Sequence, residues 1–264
     1  MKNLIFSLFL VLLLSNTVNA EFVCSSTTTA ANIFADSDKS CTTDADVMRV
    51  TLLKAEFYNS TTGATWVLKE AAMSGDIGGK ASINYLPTIK KSQNKPGTYT
   101  HFRGYMDEVI TLKGGFSTAD ATPLHCVTAG ATVNVFGMAD VSCGDGTCIT
   151  DLTDKAEVNI TMNDMAPGQA SGHYLYDATA YDVELLQSDG STRATASGNV
   201  DQMRAIVTLA SPIVITKNSK VSVEMLMKGT NALAIVWSSS SAAAGCTSIS
   251  NVAPVFTITT TVTD

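Results

Sequence analysis

"KVSVEMLMK", residues 220–228, decides the fold. Val221, Val223, Met225 and Met227 fall on one side of an extended chain, and Ser222, Glu224, Leu226 and Lys228 on the other. Side chains alternate across a strand with period two, whereas a helix would scatter these four apolar residues around its axis. The same alternation recurs outward in both directions. In "AEVNITMN" (156–163), Val158, Ile160 and Met162 oppose Glu157, Asn159 and Thr161. In "YDVELLQ" (181–187), Tyr181, Val183 and Leu185 oppose Asp182, Glu184 and Leu186. Each reads as a half-buried strand.

Further strands are expected over 47–58, 65–70, 97–106, 108–113, 131–136, 203–209, 213–217, 233–238 and 255–262. "SDGS" (188–191) puts Asp189-Gly190 between one strand and "TRATA", and Asp-Gly supplies the positive φ angles of a tight hairpin. No stretch repeats apolar residues at spacings of three and four over three turns. "LKEAAM" (68–73) is the best short-helix candidate. Many short strands with turn residues between them define an all-β, antiparallel sandwich or barrel. Residues 21–44 are small, polar and Thr/Ser-rich, and are expected to form an N-terminal arm, or an edge or donor strand. Residues 45–264 form the sandwich domain, with two smaller sandwiches as the alternative division.

Residues 1–20, "MKNLIFSLFLVLLLSNTVNA", run from Lys2 through a short apolar block to Val18-Asn19-Ala20. Charged start, apolar middle and small-x-small end are the order of a secretory signal peptide. The mature chain is expected to start at Glu21, without the first-position cysteine of a lipoprotein. No other stretch approaches the ~20 apolar residues of a spanning helix, so no membrane insertion is expected after signal removal. The expected location is secreted, either extracellular or on the cell surface. A net charge of −7 and a pI near 4.9 exclude a nucleic-acid partner, because phosphates demand clustered Lys and Arg.

The six cysteines, Cys24, Cys41, Cys126, Cys143, Cys148 and Cys246, all follow the signal. An even count in an exported chain favours three disulfides. Cys143 and Cys148 enclose the turn "GDGT", and Cys24 with Cys41 would tie down the N-terminal segment. Cys126 with Cys246 then follows by elimination. The alternative is that Cys24 or Cys246 bonds another molecule.

Catalytic patterns are absent from the sequence. His101, His125 and His173 are the only histidines, and none shares a recognised metal spacing with another ligand type. There is no nucleophile elbow and no P-loop. Asp107 and Glu108 are adjacent, so in a strand they point to opposite faces and cannot flank a glycosidic bond together; at a turn they would be solvated. Asp145, Asp151 and Asp154, near the Cys143–Cys148 loop, are the one oxygen-ligand set suited to Ca²⁺, but their spacing does not match the helix-loop-helix calcium loop. The chain is therefore read as non-enzymatic and without a cofactor.

"PGTYTHFRGYMDEVITLKGGF" (96–116) places Tyr99, His101, Arg103 and Tyr105 at every second position. On one strand face they would form a recognition strip, since Tyr and Arg are favoured where contacts are made. The plainer expectation is that the rings cover sheet surface and Arg103 pairs with a neighbouring carboxylate. Asn59 and Asn159 open N-x-S/T triplets that fit glycosylation acceptors, a coincidental match in a bacterial source.

"VMRVTLLKAEFYNSTTGATWVLKE", the 96–116 stretch and "SPIVITKNSKVSVEMLM", in that order, resemble a loosely defined group of secreted bacterial β-sandwich domains of unknown function. That resemblance covers about half of the mature chain as short motifs. It implies an exported, surface-associated, immunoglobulin-like or jelly-roll-like sandwich, and it carries over no site residues. A second resemblance is to subunits of bacterial surface fibres that assemble by strand donation, in which an alternating terminal strand completes a neighbour's sheet. "VFTITTTVTD" alternates in this way, although the aromatic residue that pilins carry next to the C-terminus is missing. The functional expectation is a structural or adhesive surface protein that self-associates into filaments by strand addition. The alternative is an extracellular or periplasmic module binding a carbohydrate or small ligand through the Tyr99-to-Tyr105 row with Trp66 or Trp237.

Overall fold

The computed structural model describes residues 22–79, 82–84, 86, 89–128, 139–140, 155–161, 171–176, 179–195, 198–251 and 255–263. The strands in chain order are β1 (Ser40–Thr43), β2 (Val47–Tyr58), β3 (Thr65–Lys69), β4 (Met73–Asp76), β5 (Ser82–Asn84), β6 (Gly97–Asp107), β7 (Val109–Lys113), β8 (Gly115–Ser117) and β9 (His125–Val127). There follow β10 (Ala139–Asp140), β11 (Val158–Thr161), β12 (Ser171–Tyr176), β13 (Thr179–Leu186), β14 (Gln202–Ile215), β15 (Lys220–Lys228), β16 (Leu233–Trp237), β17 (Cys246–Asn251) and β18 (Val255–Thr263). Every strand pair is antiparallel.

β2 organises the largest sheet. Arg49 faces β7 and β4 on opposite sides, Leu52 faces β4 and β6, and Ala55 faces β6 and β3. β6 and β7 therefore follow one side of β2 as a single track broken at Glu108, and β3 and β4 follow the other. β14, β13 and β12 extend the sheet beyond β6, and β11 extends it beyond β7. A second sheet, β18-β15-β5, lies face to face with the first: a methyl at Gly104 of β6 would stand 3.8 Å from Met225 Cε of β15. A third sheet, β1-β16-β17-β10, and the β8–β9 hairpin complete the fold.

The core follows the alternation read from the sequence. Val221, Val223, Met225 and Met227 are buried, while Ser222, Glu224 and Lys228 are exposed. They share one continuous core with Leu52, Phe57, Phe102, Met106, Leu112, Ile160 and Leu233. Two disulfides, Cys24–Cys41 and Cys126–Cys246, pair as expected; Cys143 and Cys148 lie outside the described residues. The second bond joins β9 to the first residue of β17 across 120 positions of sequence. Disulfides of this kind persist in an oxidising compartment, and among the described residues no helix is long and apolar enough to cross a membrane.

Several local expectations are corrected. Residues 68–73 are not helical: Leu68 and Lys69 end β3 and Met73 begins β4, because pairing along β2 outweighs the propensity of a six-residue piece. The described α-helix, α1 (Ala30–Ala35), lies instead in the N-terminal segment. Thr29 caps it by accepting from Asn32 N, and the Asn32 side chain accepts from Thr29 N. Asn in place of the usual Glu or Gln kept this capping box out of sight in the sequence. At 188–191 the chain does reverse, but through a longer loop closed by Gln187 N–H to Thr192 O. There only Gly190 has a positive φ, of 64°, and the return segment makes one bridge, Leu186 to Arg193, in place of a strand.

Residues 22–44 are tied to the body in cis. β1 is the edge of the third sheet against β16, and Val23 bridges Thr42 in parallel outside it. Ala30 N–H donates to Asp120 Oδ2 at 2.8 Å, and Ile33 and Cys41 sit in the core.

Candidate functional site

The expected strip on β6 is not one row. His101, Arg103 and Tyr105 share a face, but Tyr99 is only 1% exposed and joins the core beside Phe57 and Trp66, with ring centroids 6.0 Å from each. The cause is visible in the register with β14. Thr208 faces His101 and Ile213 faces Tyr99, so residues 209–212 stand against the single residue Thr100. Pro212 lies in that bulge and has no N–H with which to continue the ladder. Alternation on β6 breaks at the same level, so that Tyr99 and Phe102, three apart, both point inward.

Arg103 and Tyr105 are built into a charged ladder across β2, β6, β14 and β13. Cross-strand register sets Glu56 opposite Arg103, Lys54 opposite Tyr105, Tyr105 opposite Arg204, and Arg204 opposite Glu184. Glu56, 1% exposed, receives Arg103 at 2.5 Å, Lys54 at 2.9 Å and the Tyr105 hydroxyl at 2.8 Å. Glu184 receives Arg193 at 2.6 Å and also Arg204. The expected local partner of Arg103 is thus Glu56. The sequence pointed to it only as one of two charges, with Lys54, inside the largely apolar run "LLKAEFY".

The electrostatics hold both carboxylates ionised. Burial pushes the Glu56 carboxyl upward, but hydrogen bonds from Lys54 and Tyr105 and the charge of Arg103 outweigh it, and its pKa lies below the ordinary glutamate value. Glu184 follows the same pattern with Arg204 and Arg193. Burial raises the Tyr105 phenol. The ring faces are occupied as well: the Arg103 guanidinium lies 3.8 Å over Tyr58, and Lys54 Nζ lies 4.9 Å over Tyr105. A sugar ring stacks on an open aromatic face, and these faces carry cations. Trp66 and Trp237 are buried, their indole N–H groups donating to Gln93 O and Ala242 O.

Other expected positions fall apart from this ladder. Asp107 Oδ1 accepts from Val109 N–H at the break between β6 and β7. Glu108 is not simply solvated: its Oε2 is shielded without a hydrogen-bond partner, and burial, then Asp201 and Asp107, raise its pKa. His101 Nδ1 lies 2.7 Å from Thr100 Oγ1, and His125 stands in β9 beside the disulfide of Cys126. His173 pairs through its backbone with Asp182. Asp145, Asp151 and Asp154 lie outside the described residues. Among the described residues no group of three His, Cys, Asp or Glu could hold a metal ion. An open recess of about 410 Å³ lined by Phe22, Ser25, Thr28, Asn32 and Asp36 lies by α1. Its Ser25 and Thr28 hydroxyls bond each other, and the Asn32 carbonyl oxygen accepts from Thr29.

The second candidate is an edge. β18 pairs with β15 through nine registered positions, from Val255 opposite Lys228 to Thr263 opposite Lys220, with no shift. Among the described residues nothing pairs with its other side. Sheet edges are normally blunted by charge, proline, bulges or shortness. β18 has none of these: "VFTITTTVT" is uncharged, proline-free and nine residues long. Ile258, Thr260 and Val262 are half-buried toward the core, whereas Thr257, Thr259, Thr261 and Thr263 are exposed. Among the described residues the other outer strands of the three sheets are shorter: β1 and β11 have four residues, β10 two, β5 three and β12 six.

Comparison with protein-family models, with curated proteins and with solved structures finds no match to this chain.

Proposed function

We propose that this is a non-enzymatic, exported structural or adhesive protein of the cell surface that associates with copies of itself by β-strand addition at β18. The observation that carries the reading is the uncharged nine-residue strand that, among the described residues, pairs with β15 alone, and the N–H and C=O groups along such an edge form a template for another strand. The disulfides and the signal-like residues 1–20 agree with export. The charged ladder has a structural part in this reading, since each carboxylate is already matched by cations. Strand addition at β18 is also the contact that would join copies at the first step of any filament.

Sedimentation velocity of the chain from Glu21 onward, with a Thr261→Lys variant beside it, tests the proposal. Thr261 is exposed, so lysine there leaves the core untouched and places a charge on the edge. Concentration-dependent association that the variant loses is the expected result. Monomers at every concentration for both chains overturn it.

A further inference from the structure

We infer that the partner strand is β18 of a second copy, related by a two-fold axis through Thr260. This rests on the reading of β18 as the associating edge and adds its partner and register.

Thr260 supplies the first observation. Its side chain points inward with Ile258 and Val262, its Oγ1 is shielded from solvent, and that oxygen has no hydrogen-bond partner. Shielded hydroxyls nearly always have a partner, and one without calls for an explanation. At a two-fold through Thr260 the two side chains stand directly opposite each other, and a χ1 rotation that turns each Oγ1 from its own core toward the edge lets the hydroxyls bond across the axis, the arrangement in which Thr–Thr hydrogen bonds form between strands.

The sequence of the strand supplies the second. Antiparallel pairing centred on Thr260 sets Ile258 opposite Val262, Thr259 opposite Thr261 and Thr257 opposite Thr263. Apolar residues then meet apolar residues on the core side, and threonine meets threonine on the exposed side. Centring on Thr259 would set Ile258 against Thr260 and leave the hydroxyl facing a hydrocarbon. A shift by one residue would match an inward position with an outward one, turning the second copy's core side toward solvent. No charge lies on β18, so no like-charge pair arises across the axis. The product is one continuous sheet, β5-β15-β18 and its two-fold mate. Because an edge paired with itself is closed, the dimer is the unit from which any larger assembly is built.

Cysteine trapping tests the register. Directly opposed residues of an antiparallel pair have Cα atoms about 4.5–5.5 Å apart, within disulfide reach. Thr260→Cys is expected to give a covalent, reducible dimer under mild oxidation. Thr259→Cys and Thr261→Cys alone are expected to give none, because each then lies diagonal to its own copy. The double variant Thr259→Cys/Thr261→Cys, on the exposed face, is expected to restore the covalent dimer and does not depend on packing at Thr260. Trapping by Thr259→Cys alone, or by none of these variants in a chain that sedimentation shows to be dimeric, overturns the register while leaving strand addition standing. A wild-type chain that is monomeric throughout overturns both.

Discussion

Replacing Glu56 by glutamine keeps the side chain's shape and removes the charge on which the ladder converges. Glu56 is 1% exposed and is met by Arg103, Lys54 and Tyr105. Removing one member of a buried ion pair costs ~3–5 kcal/mol, because the other charge is left without compensation. The lower end applies here. Arg103 is 13% exposed and stays committed under Tyr58, but Lys54, at 30%, can turn into water. A loss of about 3 kcal/mol in a domain of this size lowers Tm by roughly 6–12 °C. Thermal unfolding at pH 7, followed by near-ultraviolet circular dichroism, measures it. The pH dependence is a second check. The folded pKa of Glu56 lies below the ordinary glutamate value, so its contribution is complete above the unfolded value and disappears as pH falls through the folded one. The gap between wild type and variant must therefore close toward low pH. The triple change Glu56→Leu, Arg103→Met and Tyr105→Phe should recover much of the loss, since apolar residues can replace a buried pair once the Tyr105 hydroxyl that also bonds Glu56 is removed. A cost of Glu56→Gln below about 1 kcal/mol, the range of exposed pairs, would refute the reasoning.

Three further outcomes are expected. Serine at Cys126 and Cys246 should lower stability by ~4–5 kcal/mol in denaturant unfolding and serine at Cys24 and Cys41 by ~3, because the first bond closes a far longer loop. Glu108→Gln should raise Tm near neutral pH and lose that advantage below about pH 4 in a pH series of melts. Its folded pKa is raised, so stability falls as pH climbs through the window between the unfolded and folded values, and glutamine removes that penalty. Gly78→Ala should destabilise the fold measurably in urea, because the new Cβ would stand 2.7 Å from both Asp46 O and Val47 Cα, backbone atoms that cannot turn aside.

The strands were legible wherever alternation was uninterrupted. β2 and β15 match residues 47–58 and 220–228 end to end, and β18 runs one residue past its expected limit. Reading failed where a neighbour decided the outcome. Expected strands at 203–209 and 213–217 fuse into β14 across the Pro212 bulge, because β6 lies alongside both halves. The three-residue strands β8 and β9 carry too few residues to show a period, and the core and the Cys126–Cys246 bond hold them in place.

The candidate sites divide in the same way. Which residues of a strand are apolar, which are charged, and that "VFTITTTVT" carries no charge and no proline are local properties, written in order along the chain. That Tyr99 is a core residue, that Glu56 collects three partners, and that β18 pairs with β15 alone among the described residues all depend on strands far away in sequence. Alternation assigns a side chain to one of two faces, and only the register between strands determines what that face meets.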